Sequence, residues 1–233
     1  MNKRKIKKVA GILSILGLPA FFLIVFATAR HHFAELPKFG PKYYDAQLGD
    51  TVFHQIPDFK LVDHNGDSVN NQILDGKISV VDFFFTSCRS ICPVMNRNMH
   101  NVQRKITDPG FTDVALFSFT VDPETDTPEV LKQYGKDAGA DFSNWTFITG
   151  GKGSLYELGS RGFFLAAAED VMAPGGFLHS EKLVLLDRQR HIRGFYDGTV
   201  TEEVEKLVDD LKMLLKEEKI QKRDAQESKE LRN

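Results

Sequence analysis

The sequence predicts an α/β protein, with a central mixed sheet flanked by helices behind an N-terminal membrane-spanning helix. Short apolar runs alternate with helix-like segments between residues 78 and 215, which is typical of a sheet covered by helices. The only two cysteines follow the first long apolar run of that region, and residues 9–29 carry no charge. We find no internal repeat and no sign of a second folded domain.

The N-terminal segment has the features of a membrane anchor. Residues 1–8 are strongly basic and residues 9–29 are uncharged; as a helix, the second stretch would span about 31 Å, close to the bilayer hydrocarbon thickness. The basic flank is expected to stay cytoplasmic, so the rest would face the periplasm or an equivalent space from a single-pass anchor in the cell membrane. A cleaved signal peptide is the alternative, because residues 27–29 match a small-residue cleavage pattern.

The remaining chain divides by composition. Residues 30–50 contain two prolines and are expected to form an extended linker. Residues 51–215 form the predicted domain, and residues 216–233 are almost all charged or polar, which predicts a frayed or disordered tail. A net charge of −2 gives no reason to expect a nucleic-acid partner.

Within the domain the elements follow from local patterns. An entry hairpin is predicted from strand candidates at residues 52–56 and 59–62, with an Asn-Gly turn near residue 65. Apolar runs predict further strands at residues 78–85, 114–121, 145–149, 182–187 and 191–196. Helical spacing predicts helices at residues 93–106, 127–138, 154–162 and from 201 onward. Thr127 and Pro128 have the residue types of an N-cap and a first helical position, whereas residues 165–177 have no regular pattern.

Cys88 and Cys92 are placed between the predicted strand and Pro93, whose fixed φ suits a helix start. Both thiols would then lie at or just before a helix N-terminus, where unpaired N–H groups favour thiolate over thiol, and Arg89 adds positive charge. A cysteine pair at the first strand-to-helix junction is the arrangement of the thioredoxin fold.

The C-x-x-x-C spacing allows more than one chemistry. Two thiols this close could form a disulfide or hold one metal ion. Thiolates alone suit Cu(I), and an added imidazole would suit copper in either common oxidation state. A purely structural disulfide, or two inert buried thiols, is the alternative.

Two further residues are candidates because of their position. His179 is one of seven histidines, and it stands on a predicted loop directly before an apolar strand. Asp122 follows a buried strand, at the edge where open α/β sheets place their sites; alternatively, Asp122 and Asp126 only cap the following turn. His64 is expected to be a surface or turn histidine, and the hairpin residue His191 is expected to be solvated.

Three motifs in order resemble the SCO/SenC family. Residues 85–93 are similar to its C-x-x-x-C-P motif, residues 121–128 to its D-P-x-x-D-T-P segment, and residues 179–180 to its H-S motif. The resemblance covers about residues 50–215. It implies a membrane-tethered, thioredoxin-like copper metallochaperone that delivers copper to, or prepares, the binuclear copper site of cytochrome c oxidase.

The resemblance also implies a site. Cys88, Cys92 and His179 would bind copper, and Asp122 would lie near them and influence transfer or partner docking. The implied partners are the copper-bearing oxidase subunit or another copper chaperone. Arg89 stands where many members have proline, and residues 177–178 replace a frequent Val-Asp; these departures leave the copper ligands intact and bear on partner recognition instead.

Other functions fit the cysteines less well. A thiol–disulfide oxidoreductase acting on cysteines of an oxidase subunit would use an activated Cys88, but the chain lacks both C-x-x-C and a proline before the later strand. A peroxidase of the peroxiredoxin type would need a threonine three residues before the cysteine, and Thr86 is two before Cys88. A structural zinc site would need a fourth ligand.

Overall fold

A computed structural model describes residues 35–165, 167–169 and 177–230, with the backbone alone described at 167–169 and 177–179. In chain order the strands are β1 (Lys42–Asp45), β2 (Asp50–Phe53), β3 (Lys60–Asp63), β4 (Ser68–Asn70), β5 (Ile78–Phe84), β6 (Val114–Thr120), β7 (Trp145–Thr149), β8 (Ala167–Glu169), β9 (Phe177–His179), β10 (Lys182–Leu186) and β11 (Ile192–Asp197). The described helices are α1 (Cys92–Ile106), α2 (Pro128–Asp137), α3 (Lys152–Glu157) and α4 (Thr201–Glu230). A π-helical turn, Leu158–Gly162, follows α3.

The predicted mixed sheet is confirmed. Its strand order is β11-β10-β5-β6-β7-β3-β4, with β5, β6 and β7 parallel and with β10 and β3 antiparallel on either side. Every residue of β5 and β6 is buried, as expected for central strands covered on both faces. The carboxyl ends of the three parallel strands therefore meet at one edge of the sheet.

Consecutive phenylalanines of β5 build the core on both faces, because neighbouring strand residues point to opposite sides. Phe83 packs on Phe119 with ring centroids 5.4 Å apart. Phe84 stacks on Tyr134 of α2 at 5.1 Å and meets Phe147 edge-on. These rings place α2 against the same part of the sheet from which the chain leaves toward the cysteines.

The helix starts follow the residues predicted for them. The Thr127 hydroxyl accepts a hydrogen bond from the backbone N–H of Val130 at 3.4 Å, with Pro128 opening α2. α1 begins one residue earlier than predicted, at Cys92, with Pro93 in its first turn. The apolar face of α4 is buried as expected, through Val204, Leu207, Val208, Leu211, Leu214 and Leu215.

The end of the described chain differs from the prediction. Instead of a frayed or disordered tail from residue 216, α4 continues to Glu230, with residues 221–230 fully solvent-facing. The segment is rich in Glu, Lys, Gln and Arg, which are strong helix formers, and it carries an i,i+4 pair between Arg223 and Glu227 at 3.8 Å. Packing stabilises the first part of α4, and helix propensity together with side-chain pairs extends it into the exposed part.

Two further strand pairings were not predicted. β1 lies inside the stretch interpreted as a linker and pairs with β2, which overlaps the strand predicted at residues 52–56. β8 lies inside the stretch interpreted as irregular and pairs with β9, which extends from the end of that stretch to His179. The predicted membrane span at residues 9–29 lies outside the described residues. Within the described ranges, none of the helices combines the length and apolar character that crossing a bilayer demands.

The expectation of a solvated His191 was wrong, and His64 lies in the predicted turn but not at the surface. The His64 ring is buried and stacks on Phe142 with centroids 4.3 Å apart. His191 is buried beside the Asp187 carboxylate, with Nδ1 3.1 Å from Oδ2. Arg193 also approaches this carboxylate, at 3.1 Å, and links it to Glu217 of α4. Both histidines therefore serve packing and polar satisfaction.

Candidate metal and redox site

Cys88 and Cys92 lie just beyond the carboxyl end of β5, at the edge where the parallel strands finish. Both are reduced thiols, not joined in a disulfide, and both are buried, at 7% and 1% exposure. Cys92 opens α1, whereas Cys88 stands on the preceding loop and lines an open cleft. The sequence-based placement of the pair at a strand-to-helix junction is confirmed.

The two thiols differ in their electrostatic surroundings. Burial raises the pKa of Cys88, but hydrogen bonds from the Ser90 hydroxyl, from the Cys92 backbone and side chain and from the Ser90 backbone outweigh it, so this pKa lies below its usual value. The Ser90 oxygen is 3.4 Å from the Cys88 sulfur. Burial raises the pKa of Cys92 strongly, and the neighbouring Cys88 and Asp82 add to it. The pair therefore favours a Cys88 thiolate that accepts a hydrogen bond from the Cys92 thiol.

The sequence predicted that the helix start and Arg89 would lower the pKa of Cys88, and only the first of these causes is found. The Cys92 N–H belongs to the first residue of α1, so the helix start contributes as predicted. The lowered pKa of Cys88 comes mainly from the hydrogen bonds made by Ser90 and Cys92, rather than from the positive charge of Arg89 that the sequence suggested.

The loop before Cys88 is held by Asp126. Its carboxylate is fully buried and accepts the Thr86 backbone N–H at 3.1 Å, the Thr86 hydroxyl and the Thr120 hydroxyl. The sequence left Asp126 with at most a turn-capping role, because its neighbours Thr127 and Pro128 signal a helix start. Its contact with the cysteine loop could not be read from that local pattern.

Asp122 lies at the same edge but makes different contacts. It is buried, at 7% exposure, and its backbone N–H donates to the Thr120 hydroxyl at 2.9 Å. Its carbonyl accepts from the backbone N–H groups of Thr125 and Asp126. The backbone of Asp122 thus shapes the turn that presents Asp126 to Thr86, and a role of its carboxylate near copper remains a prediction.

Asp82 is a buried carboxylate that sequence reasoning missed. It lies on β5 at 1% exposure and accepts a 2.5 Å hydrogen bond from the Ser118 hydroxyl, which in turn accepts from the Trp145 indole N–H at 2.9 Å. Burial raises the pKa of Asp82 to about 7. A lone aspartate inside the apolar run 78–85 was the available signal.

His179 ends β9, where its backbone pairs with Ala167 of β8. It therefore belongs to a short hairpin rather than to the loop predicted from the sequence. The His179 side chain lies outside the described part of the chain, so its convergence with Cys88 and Cys92 stays a prediction. Among the side chains that are described, no cluster of three or more His, Cys, Asp or Glu residues is placed to hold a metal ion.

A thioredoxin-like sheet with a cysteine pair at a strand-to-helix junction defines the class of this protein. The SCO1/SenC family model matches residues 50–216. The chain therefore belongs to the SCO1/SenC family, as its three motifs suggested.

Several relatives share most of the described domain. The SCO1 protein homolog of Bacillus subtilis (strain 168) is 28% identical over 166 residues, which cover 71% of this chain and 86% of that protein. A SCO1/SenC family lipoprotein from Bacillus anthracis matches with a TM-score of 0.63 and 29% identity over 69% of this chain and 95% of that one. BsSco, a Sco-family cytochrome c oxidase assembly protein with a disulfide switch, matches with a TM-score of 0.62 and 27% identity over 70% of this chain and 94% of that one.

Proposed function

We propose that this protein is a membrane-anchored copper metallochaperone that delivers copper to, or prepares, the binuclear copper site of cytochrome c oxidase. Copper is its cargo, and Cys88, Cys92 and His179 are the proposed ligands. The observation that carries the proposal is the pair of cysteines at the sheet edge, of which Cys88 is stabilised as a thiolate. Thiolates are soft donors that favour copper over hard cations.

The relatives support the choice of copper and of recipient. A Stutzerimonas stutzeri protein that is 29% identical over 140 residues, covering 60% of this chain and 67% of that protein, is named for copper binding. BsSco is described as a member of a family of cytochrome c oxidase assembly proteins. The copper-bearing oxidase subunit, or another copper chaperone, is therefore the proposed partner.

Loading copper requires both sulfurs to be reduced and deprotonated. Cys88 meets this requirement most easily, whereas Cys92 holds its proton because burial and the neighbouring Cys88 raise its pKa. Copper would displace that proton on binding. The hydrogen bond from the Thr86 backbone N–H to the Asp126 carboxylate, here called the Asp126–Thr86 clamp, fixes the loop that carries Cys88. The short β8–β9 hairpin carries His179.

A copper titration of the reduced chain tests this function. We expect about one copper per chain and, with Cu(II), a thiolate charge-transfer band. The band should disappear in Cys88→Ser, Cys92→Ser and His179→Ala. His100→Ala, which also removes one imidazole, should leave it intact. Stoichiometric copper retained by the double Cys88→Ser, Cys92→Ser variant would exclude the site.

A second candidate is a thiol–disulfide oxidoreductase acting on cysteines of an oxidase subunit. The opposite pKa shifts of Cys88 and Cys92 favour it, because one thiolate at the edge of a cleft and one protonated partner suit attack and resolution. An insulin-reduction assay separates the two functions. Turnover that Cys88→Ser abolishes would support the oxidoreductase, and copper binding without turnover would support the metallochaperone.

The location is also a proposal. The basic residues 1–8 and the apolar residues 9–29 are proposed to place a single span in the cell membrane with the domain on the extracytoplasmic side. Thiol labelling of intact cells with a membrane-impermeant reagent tests this. Cys88 should be labelled without lysis, and labelling only after lysis would place the domain in the cytosol.

A further inference from the structure

A cleft of about 470 Å³ opens between α1 and α2, directly beside Cys88. Its lining includes Asn96, Arg97 and His100 from α1 and Tyr134 and Asp137 from α2. The volume lies within the range of small-ligand sites. The cleft adjoins the reactive sulfur and is built from a different part of the chain than the hairpin that carries His179.

A hydrogen bond between the two helices holds one side of the cleft in place, and Arg97 offers a positive charge at its surface. Asn96 Nδ2 donates to the Tyr134 hydroxyl at 2.6 Å, which joins the two helices across the cleft. The Asp137 carboxylate already accepts from Gln133 at 2.8 Å. Arg97 is exposed, and no hydrogen bond or ion pair engages its guanidinium among the described residues. An arginine placed in this way suits a ligand carboxylate, which it can bind through two parallel hydrogen bonds.

We propose that this cleft binds an acidic thiol of about tripeptide size, whose carboxylate pairs with Arg97 while its sulfur reacts at Cys88. The inference deepens the proposed function, because the cysteines must be reduced before they can hold copper. It identifies the chemical class of the reductant that reopens a Cys88–Cys92 disulfide.

The reaction is two thiol–disulfide exchanges. The ligand thiolate attacks the Cys88 sulfur, a ligand–Cys88 disulfide forms, and the Cys88–Cys92 bond breaks with Cys92 leaving as a thiolate that takes a proton. A second ligand thiolate then attacks the ligand sulfur and releases Cys88. Two ligand thiols are oxidised to one ligand disulfide, and the protein disulfide is reduced to two thiols. Access directs the attack to Cys88, because Cys88 lines the cleft and is 7% exposed, whereas Cys92 lies behind it at 1%.

The test compares glutathione with its diethyl ester, which keeps the thiol and lacks the carboxylates, at equal thiolate concentration. With the oxidised full-length chain, we expect glutathione to react about two- to five-fold faster than the ester, the range for an exposed ion pair. Arg97→Ala should bring the ratio close to one. Arg104→Ala, an arginine of the same helix that lies outside this cleft, should leave the ratio unchanged.

Three results would overturn the proposal: an ester that reacts as fast as glutathione, a ratio that Arg97→Ala does not change, or a longer acidic cysteine peptide that outperforms glutathione through Arg97. Copper stoichiometry is measured on the same reduced variants and should be unaffected by Arg97→Ala. A chain that binds no copper but keeps the Arg97-dependent ratio would refute the metallochaperone function alone, so the two failures can be told apart.

Discussion

The carboxylate of Asp126 accepts the backbone N–H of Thr86 at 3.1 Å and joins two loops that are 40 residues apart in sequence. One loop leads from β5 to Cys88, and the other leads from β6 into α2. Because the same carboxylate also accepts the Thr120 hydroxyl, the cysteine loop is tied to the end of the neighbouring parallel strand. The position of Cys88 thus depends on a residue that would not itself touch copper.

Replacing Asp126 with Asn should weaken copper binding without removing a ligand. An amide retains one acceptor oxygen but turns an NH₂ group toward donors from Thr86 and Thr120, which leaves buried groups unsatisfied. We expect a loss of about 1–3 kcal/mol in the free energy of unfolding and a copper affinity about ten-fold lower. Urea unfolding and competitive copper titration measure the two effects.

A matched control for this variant is Glu124→Gln in the same loop. Glu124 is 75% exposed at its side chain and lies 3.6 Å from Lys152, so its loss should cost less than about 0.5 kcal/mol. Wild-type copper affinity in a folded Asp126→Asn variant would show that the clamp does not position the site.

The two cysteines should differ in reactivity. Because hydrogen bonds lower the pKa of Cys88 and burial raises that of Cys92, iodoacetamide should alkylate Cys88 alone in the native reduced chain. The pH midpoint of Cys88 alkylation should lie below that of an unperturbed thiol, about 8.5. Mass spectrometry of the alkylated chain identifies the site. Cys92 should react only after unfolding, and equal modification of both residues would contradict the asymmetry.

The Ser90 hydroxyl provides a direct test of the cause. Ser90→Ala removes the strongest of the hydrogen bonds that lower the pKa of Cys88 and should shift its alkylation midpoint upward. Ser87→Ala changes the residue next to Cys88 in the same loop and should leave the midpoint in place. An unchanged midpoint in Ser90→Ala would show that another group stabilises the thiolate.

Local patterns predicted the elements that depend on neighbouring residues. The buried run 78–85, the N-cap at Thr127 and the cysteine pair before α1 all follow from residue types within a few positions. By contrast, the Asp126–Thr86 clamp is a long-range contact, and no local signal distinguishes it from a turn cap. Strand β1 was also missed, since Tyr43 and Tyr44 are both exposed and give no alternation of buried and exposed positions.

Burial of polar groups was likewise hard to predict. His191 and Asp187 are four residues apart on a hairpin, a pattern that is commonly solvated. Asp187 can be buried because it contacts the His191 ring and pairs with Arg193, which also pairs with Glu217. Glu217 comes from α4, at the far end of the chain. The partner that makes burial possible lies outside any local window.

Gly135 of α2 has no room for a side chain. A Cβ there would lie 2.6 Å from a Phe142 ring carbon and 2.9 Å from one of Phe147, and these rings belong to the core against which α2 packs. We expect Gly135→Ala to lower the free energy of unfolding by about 1–3 kcal/mol through overpacking. Gly153→Ala in α3, where no atom lies within 4 Å of the new Cβ, should gain up to about 1 kcal/mol from helix propensity. Equal effects of the two variants in urea unfolding would contradict this packing.

Asp82 should make the protein lose stability as pH rises from about 4 to about 7. Burial raises its pKa to about 7 in the folded state, whereas an unfolded aspartate titrates near 3.9. In this window the folded state holds a proton that the unfolded state has released, so the free energy of unfolding falls with pH. The full loss is on the order of 2–4 kcal/mol.

Asp82→Asn isolates this contribution, because the amide oxygen can still accept the Ser118 hydroxyl without becoming charged. Relative to the wild type, the variant should gain stability steadily from pH 4 to pH 7 and remain constant at higher pH. Ser118→Ala should extend the loss to higher pH, since the Ser118 hydrogen bond lowers the pKa of Asp82. Urea unfolding at a series of pH values gives the difference curves, and parallel curves for Asp82→Asn and wild type would show that Asp82 is already charged in the folded protein.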